Sequence, residues 1–372
     1  MPVREEFMKR FTACLLAFLL IFPLTAVQAD TWYSFTEDDV PDGLAYTVLD
    51  DENGYTGTVS LTFLGDCTLG GEEKLVNSRY GFVKTVAENG VSWPFRNLLA
   101  VTGQDDITLA NLEGVLSDRK LTKEVKEYNF IGPTSYTDIL KAGSIECVTQ
   151  ANNHSHDYGE EGFADTKAAL DKAGIARLDT ETMAVWQRGT LMIGFVGAFW
   201  TLAGNQGKQF DRQVALLKDL GCAAVICVMH AGLEHVYRLN GYQKQIAEKA
   251  AAAGCCLVVG HHPHVAQGYS EVDGMPVAWS LGNCSFGGSM NPSDKDALML
   301  GTELSFEDGV LTEAVLHFYP ISISGEKHRN DYSPVLLSGD DAARVLKKMK
   351  TSSGYTMPDW EEGQGSVIRV EY

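Results

Sequence analysis

Cys256-Leu257-Val258-Val259-Gly260-His261-His262-Pro263-His264-Val265 is an apolar run that ends in three histidines within four residues. The run reads as a strand, and the imidazoles that follow it are hard to place in an apolar core, because each ring carries polar nitrogens that need partners. A metal ion is the natural partner. Whether the chain brings matching ligands to the same place depends on what its other strands carry at their ends.

The same pattern recurs upstream. Thr58-Val59-Ser60-Leu61-Thr62-Phe63-Leu64 alternates like a strand and stops at Gly65-Asp66; Ile107-Thr108-Leu109-Ala110 ends at Asn111-Leu112-Glu113. Ser144-Ile145-Glu146-Cys147-Val148-Thr149 runs into Ala151-Asn152-Asn153-His154, and Ala223-Ala224-Val225-Ile226-Cys227-Val228-Met229 delivers His230. Helical stretches are expected between the strands at 159–173, 211–220 and 242–253. Strands alternating with helices indicate an α/β fold with substantially parallel sheets. In a parallel sheet the residues just past the strands gather along one edge, where α/β proteins place ligand sites. Asp66, Glu113, Asn153, His154, His230, His262 and His264 are therefore expected together. Carboxylate, amide and imidazole donors without a thiolate cluster suit zinc, manganese or iron. Six or more donors exceed one tetrahedral ion, so two adjacent divalent metals are expected.

The rest of the chain bounds this reading. At 372 residues with 45% hydrophobic composition, it is long and apolar enough for a sizeable core. Residues 1–29 read as a secretory signal peptide: Arg4, Lys9 and Arg10 precede the apolar run Ala13–Phe22, and Val27-Gln28-Ala29 has a cleavage pattern. An uncleaved N-terminal anchor is the alternative, and either way the protein is expected outside the cytoplasm, secreted or associated with the envelope. The formal net charge of −19 repels nucleic acid and anionic lipid, so a polyanionic partner needs local help such as a bound cation. Cys14 lies in the signal segment, and Cys147, Cys222, Cys227, Cys255 and Cys256 read as small buried hydrophobes; a Cys222–Cys255 pair is the other option. Residues 30–57 are acidic and turn-rich and read as a loosely ordered arm. Strands at 297–306 and 310–319 flank the Asp308-Gly309 turn, a hairpin signal, and 340–350 reads as an amphipathic helix. The resulting division is 1–29 signal, 30–57 arm, 58–320 domain, and 321–372 an extension whose one helix packs on the domain.

Gly65-Asp66, Asn111-Leu112-Glu113, Ala151-Asn152-Asn153-His154 with Asp157, Gly159 and Gly162, His230-Ala231-Gly232-Leu233-Glu234, Gly260–Gln267 and Ser280-Leu281-Gly282-Asn283 occur in order over about 59–320. Together they resemble the CapA family of capsule (poly-gamma-glutamate) synthesis proteins, which is similar in fold to calcineurin-like metallophosphoesterases. The resemblance implies a two-sheet αββα sandwich with a metal pair at the strand ends and a metal-dependent hydrolase chemistry on phosphoesters. It also implies that Asp66, Glu113, Asn153, His230, His262 and His264 are ligands, and that His154 is the histidine that protonates the leaving oxygen. Asp157, three residues on, would orient that imidazole.

This sequence departs from the phosphoesterase pattern at Asp66-Cys67-Thr68, where Asp-x-His is usual, and at Glu113, where aspartate is usual. A side chain next to Asp66 should face the opposite way, which disfavours Cys67 as a thiolate ligand. His261 has the same problem and reads as a rim residue; His156 reads as solvent-facing or as a support behind the ligands. Cys284 and Ala231 stand where aromatics are expected, which suggests a widened pocket. Glu234 reads as a further ligand, as an acid or base, or as a helix-start carboxylate. Asn111, Gln267 and Asn283 are the remaining candidates to line the pocket. Two functions follow. One is a metal-dependent phosphoesterase acting on an anionic surface polymer or its phosphorylated precursor. The other is a non-catalytic assembly factor that binds such a polymer through its metals, alongside capsule-synthesis membrane proteins.

Overall fold

The computed structural model describes residues 30–372 except 43, 45–53, 77, 354–356 and 362. The segment read as a signal peptide lies outside the described residues. Among these no helix is long and apolar enough to cross a membrane. Among the described residues, the compact unit Thr31–Tyr372 is built on eighteen strands. In chain order they are β1 Thr31–Thr36, β2 Gly57–Thr68, β3 Ile107–Leu112, β4 Val115–Leu116, β5 Ile131–Gly132 and β6 Cys147–Thr149. Then come β7 Ala176–Leu178, β8 Thr182–Arg188, β9 Leu191–Phe199, β10 Ala224–His230, β11 Leu257–His261 and β12 Ala266–Val272. The last are β13 Met275–Leu281, β14 Asn283–Phe286, β15 Asp296–Glu307, β16 Val310–Ser322, β17 Val335–Leu336 and β18 Ser366–Glu371.

Two large sheets hold all but β4 and β5. One runs β1-β8-β9-β10-β11-β13-β12; the other runs β17-β16-β15-β2-β3-β6-β7, with β14 added on β2 and β18 on β16. Each has a parallel block, β9-β10-β11-β13 and β2-β3-β6-β7; antiparallel strands flank the first on both sides, and the second continues antiparallel from β2 into β15 while β7 is its edge. Alternation along the strands makes the layers. Ala224, Ile226 and Val228 of β10 join Val59, Leu61 and Phe63 of β2 in a core between the sheets. Val225, Cys227 and Met229 instead face the helices Gly204–Asp219 and Gly241–Ala253 in a second cluster. Ala110, Leu112 and Val148 face the helices Phe82–Asn89, Thr137–Ala142 and Gly159–Ala173 in a third. The expected αββα sandwich is the observed fold.

Several boundaries differ from the sequence reading. Residues 31–36, placed in the loose arm, form the edge strand β1 against β8. The extension at 321–372 also contributes β18 to the sheet through β16. Its helix, Gly339–Ser353, does pack on the domain, with Val345, Leu346 and Met349 in the core between the sheets. The hairpin is as expected, and Asp308 and Gly309 both have positive φ, 49° and 77°, as a two-residue turn of that hand requires. All seven described cysteines are free, Cys222 and Cys255 included.

Candidate metal centre

Strand parity decides which side chains reach the site. Leu109 of β3 faces the core between the sheets, so Asn111 and Glu113 share that side; His230 follows Ile226 and Val228 by the same count. Asp66 is different. Strict alternation from Phe63 would turn it outward, but the β2–β3 register shifts between Leu64 and Asp66 and reverses the parity. Leu64 and Cys67 then face the outer cluster and Asp66 turns inward. The Cys67 thiol donates to the Gly65 carbonyl at 3.4 Å, and burial together with the neighbouring Cys284 thiol pushes its pKa up. It is no thiolate ligand.

Asp66 is fully buried; its Oδ1 accepts from Asn111 Nδ2 at 2.7 Å and its Oδ2 from the His262 backbone N–H at 3.3 Å. His264 Nδ1 stands 3.3 Å from the same Oδ2 and donates to Asn283 Oδ1 at 2.8 Å. Burial opposes ionisation of Asp66, yet the hydrogen bond and charge of His264 hold its carboxyl well below the usual range. The His264 imidazole is in turn raised to about 10: burial opposes its charge, but nearby Glu113 and Asp66 overcome it. His230 Nε2 donates to Asn153 Oδ1 at 2.7 Å and its Nδ1 accepts from Asn111 at 3.2 Å. Burial first, then the neighbouring His262, pushes the His230 pKa well down.

Glu113 is the clearest sign of a missing partner. Both its carboxylate oxygens are buried, and among the described residues no side chain or backbone group hydrogen-bonds to them. Three imidazole nitrogens surround Oε1: His264 Nε2 at 3.7 Å, His230 Nε2 at 3.8 Å and His154 Nε2 at 3.9 Å. These are too long for hydrogen bonds and suit separate donors sharing a cation. Burial pushes the Glu113 pKa up to about 8. His262 Nδ1 is likewise buried without a partner. Two overlapping donor groups, Asp66-Glu113-His264 and Glu234-His262-His264, each have their ligand atoms within 4.8 Å of one another. The residues present therefore fit divalent metal ions.

His154 sits beside this cluster. Its Nδ1–H donates to Asp157 Oδ2 at 2.8 Å and its ring lies 4.4 Å from that of Phe130. Asp157 also accepts from the Phe130 N–H at 2.6 Å and pairs with Lys126, whose ammonium donates to the Asn153 carbonyl at 2.7 Å. Burial lowers the His154 pKa against the opposing pull of Asp157. The loop carrying the histidines is strained into place: His262 and His264 have φ of 97° and 54°, conformations costing about 1–3 kcal/mol each.

Some readings of individual residues need correction. His261 is not on the rim: it is fully buried, and its Nε2–H donates to the Leu64 carbonyl of the other sheet at 3.0 Å. Gln267 does not line the pocket, because its Oε1 accepts from Gln243 at 2.7 Å and its Nε2 donates to the Val236 carbonyl at 2.8 Å. Gln243 also closes the capping box with Asn240 at the start of its helix, so this chain of amides fixes the 231–240 loop. Asn111 lies beneath the donors, held by Asp66, His230 and Asn152. Glu234 starts no helix; it is exposed, in a loop, within reach of His262 and His264. Cys284 and Ala231 point into the outer clusters and leave the pocket width untouched.

The donors open onto a cleft of about 530 Å³ whose walls include His154, His264, Asn283, Glu234, Phe286 and Tyr128. His235, also on that wall, and Lys126 and Phe130 were missed: they lie in loops without periodicity. Trp200, whose ring meets His262 edge-on at 5.9 Å, was also missed. It directly follows β9, so the strand-end rule finds it once Leu191–Phe199 is read as a strand.

Residues 60–287 match a family described as bacterial capsule synthesis protein PGA_cap. The chain is 27% identical over 295 residues to the capsule biosynthesis protein CapA of Bacillus anthracis, covering 72% of this chain and 67% of that protein. It is 25% identical over 252 residues to the PGA biosynthesis protein CapA of Bacillus subtilis (strain 168), covering 61% and 63%. The chain thus spans about two thirds of the length of these relatives. Among solved structures, Vps29 of Chaetomium thermophilum aligns with a TM-score of 0.32 at 13% identity, covering 75% of this chain and 92% of that one, too distant to bear on function.

Proposed function

This chain belongs to the bacterial capsule synthesis protein family PGA_cap, and on that premise we propose that it is an extracytoplasmic, metal-dependent phosphoesterase of capsule synthesis. Its substrate is an anionic envelope polymer or the phosphorylated precursor of one, such as poly-gamma-glutamate, handled beside capsule-synthesis membrane proteins. The observation that carries this reading is Glu113, a buried carboxylate without a hydrogen-bond partner, surrounded by three imidazoles at 3.7 to 3.9 Å.

Asp66, Glu113, Asn153, His230, His262 and His264 would hold two divalent ions, of manganese, zinc or iron, with Glu234 as a further donor. Such ions supply Lewis-acid activation of water and of a phosphoryl oxygen. The protein's own contribution is to orient and to move a proton. Asp157 holds His154 through Nδ1–H, so the imidazolium form would carry its second proton on Nε2, the atom from which it passes to a leaving oxygen. Phe130 packs against that ring and Lys126 fixes the position of Asp157. Asn283 keeps His264 Nδ1 occupied, so Nε2 is the nitrogen turned toward Glu113.

One observation favours a second reading, that of a non-catalytic metal-dependent binding factor. Thr68 stands where a histidine would complete the first ion's donors, and the Cys67 thiol before it faces the opposite side of the strand and cannot substitute. Metal content per chain and hydrolysis of p-nitrophenyl phosphate and bis-p-nitrophenyl phosphate decide between them. The phosphoesterase reading expects turnover that chelation removes, and a fall in kcat of about 100-fold or more in His154→Ala with metal content unchanged. Full metal loading without turnover of either ester would leave the binding role.

A further inference from the structure

A second cleft, of about 540 Å³, lies between the segment 79–97 and the loop 325–335 and shares no lining residue with the metal centre. Three guanidinium groups lie over aromatic faces there. Those of Arg79 and Arg329 stand 5.5 and 5.2 Å from the centre of the Tyr80 ring, and that of Arg96 stands 3.3 Å from the Trp93 ring. The Trp93 platform is fixed: its Nε1–H donates to the Asp331 carbonyl at 2.7 Å. The loop is fixed too, because Lys295 Nζ donates to the carbonyls of Glu326, Lys327 and Arg329 at 2.8, 3.0 and 2.6 Å.

Among the described residues no carboxylate forms an ion pair with any of the three arginines. The acidic residues of the cleft are mostly occupied elsewhere. Glu88 pairs with Lys84 at 3.3 Å, and Asp331 Oδ1 accepts from Ser324 Oγ and from the Gly325 and Ser333 N–H groups. Glu326, exposed, is the exception. In a chain of net charge −19, three exposed guanidiniums without ion pairs in one cleft form a local cationic patch that suits an anionic occupant. A guanidinium stacked on a ring keeps its edge N–H groups free, and that planar fork matches a carboxylate. Two separate platforms suit several anionic groups better than one.

We propose that this cleft binds a chain of repeated carboxylates, with Arg79, Arg96 and Arg329 as its carboxylate forks. The choice of occupant rests on the reading of this protein as one that handles an anionic envelope polymer; the cleft itself stands on the guanidinium geometry.

The test is titration of the whole protein with fluorescent poly-glutamate at low and physiological salt. Replacing Arg79, Arg96 and Arg329 together by Ala should weaken binding about tenfold or more and flatten its salt dependence. The same three changed to Lys should fall between that variant and the wild type, and Glu326→Gln should bind more tightly. Arg119→Ala, whose guanidinium already pairs with Asp165, should bind as the wild type does. Wild-type affinity in the triple Ala variant would overturn the proposal, as would polyphosphate binding as tightly as poly-glutamate. Absent poly-glutamate binding with intact phosphoester hydrolysis would overturn the cleft alone and leave the phosphoesterase reading standing. Binding that persists in a protein without hydrolysis would support the cleft and overturn that other reading.

Discussion

A buried carboxylate that nothing hydrogen-bonds costs free energy unless a cation compensates it, and Glu113 is in that position. This yields a prediction independent of catalysis. A saturating divalent metal should stabilise the wild type by about 2–3 kcal/mol at a hundredfold excess over its Kd. Glu113→Gln keeps the shape and removes the charge, so most of that metal-induced rise in Tm should vanish in thermal unfolding. An equal rise in both proteins would remove Glu113 from the ligand set. The orientation of His154 is a separate matter. Asp157→Asn should lower kcat by about 10- to 100-fold while leaving metal content intact, because the amide cannot reproduce the full acceptor set that holds the ring and Lys126.

At the level of elements, the turn of β2 toward the site depends on close backbone approach. The Asp66 N–H donates to the Gly282 carbonyl at 2.9 Å, and a Cβ placed on Gly65 would lie 2.1 Å from that oxygen. Gly65→Ala should therefore cost about 1–3 kcal/mol and weaken metal binding by displacing Asp66, readable by denaturant unfolding and metal titration. Gly282, at φ 73°, is the partner that the close approach requires. The opposite ends of the parallel strands carry a different load. Burial raises Glu146 to about 7 and Asp105 to about 6, and both carboxylates serve Thr108, through its N–H at 2.8 Å and its hydroxyl at 2.9 Å. A carboxyl raised in the folded state binds more protons there than in the unfolded chain. Its contribution is fully present below about pH 4, the unfolded value, and is lost as pH rises through about 7. Glu146→Gln should thus gain Tm relative to the wild type between pH 5 and pH 8, by about 2 °C. A difference that does not change with pH would contradict the assignment.

Across the whole molecule, the C-terminal segment closes the sandwich and braces the cleft. Val345, Leu346 and Met349 seal the core between the sheets, while Lys348 bridges Asp294 on the cleft wall and Asp296 at 2.6 and 3.0 Å. Removing residues 338–372 takes away that helix and β18 together. The expected product exposes its core, binds a hydrophobic dye and loses cooperative unfolding; an unchanged cooperative transition would show that the segment is dispensable. Most of the donor set was legible without any structure. Apolar runs ending in Asp66, Glu113, His154, His230 and His262 identify a parallel α/β protein and its ligand edge, because chain direction alone brings the ends of parallel strands together. The Asp308-Gly309 hairpin was legible for an equally local reason, the positive φ that its two residues tolerate. What local pattern could not supply was direction and partnership across the sheets. The β2 bulge that turns Asp66 inward, the reach of His261 to the Leu64 carbonyl, the withdrawal of Gln267 into the 231–240 loop and the placement of Lys126 and Phe130 behind His154 all depend on residues distant in sequence. Local pattern alone names the chemical groups that gather at one edge of this protein; which of them face one another is set by packing between the sheets, because a contact between sheets leaves no periodic trace in either strand.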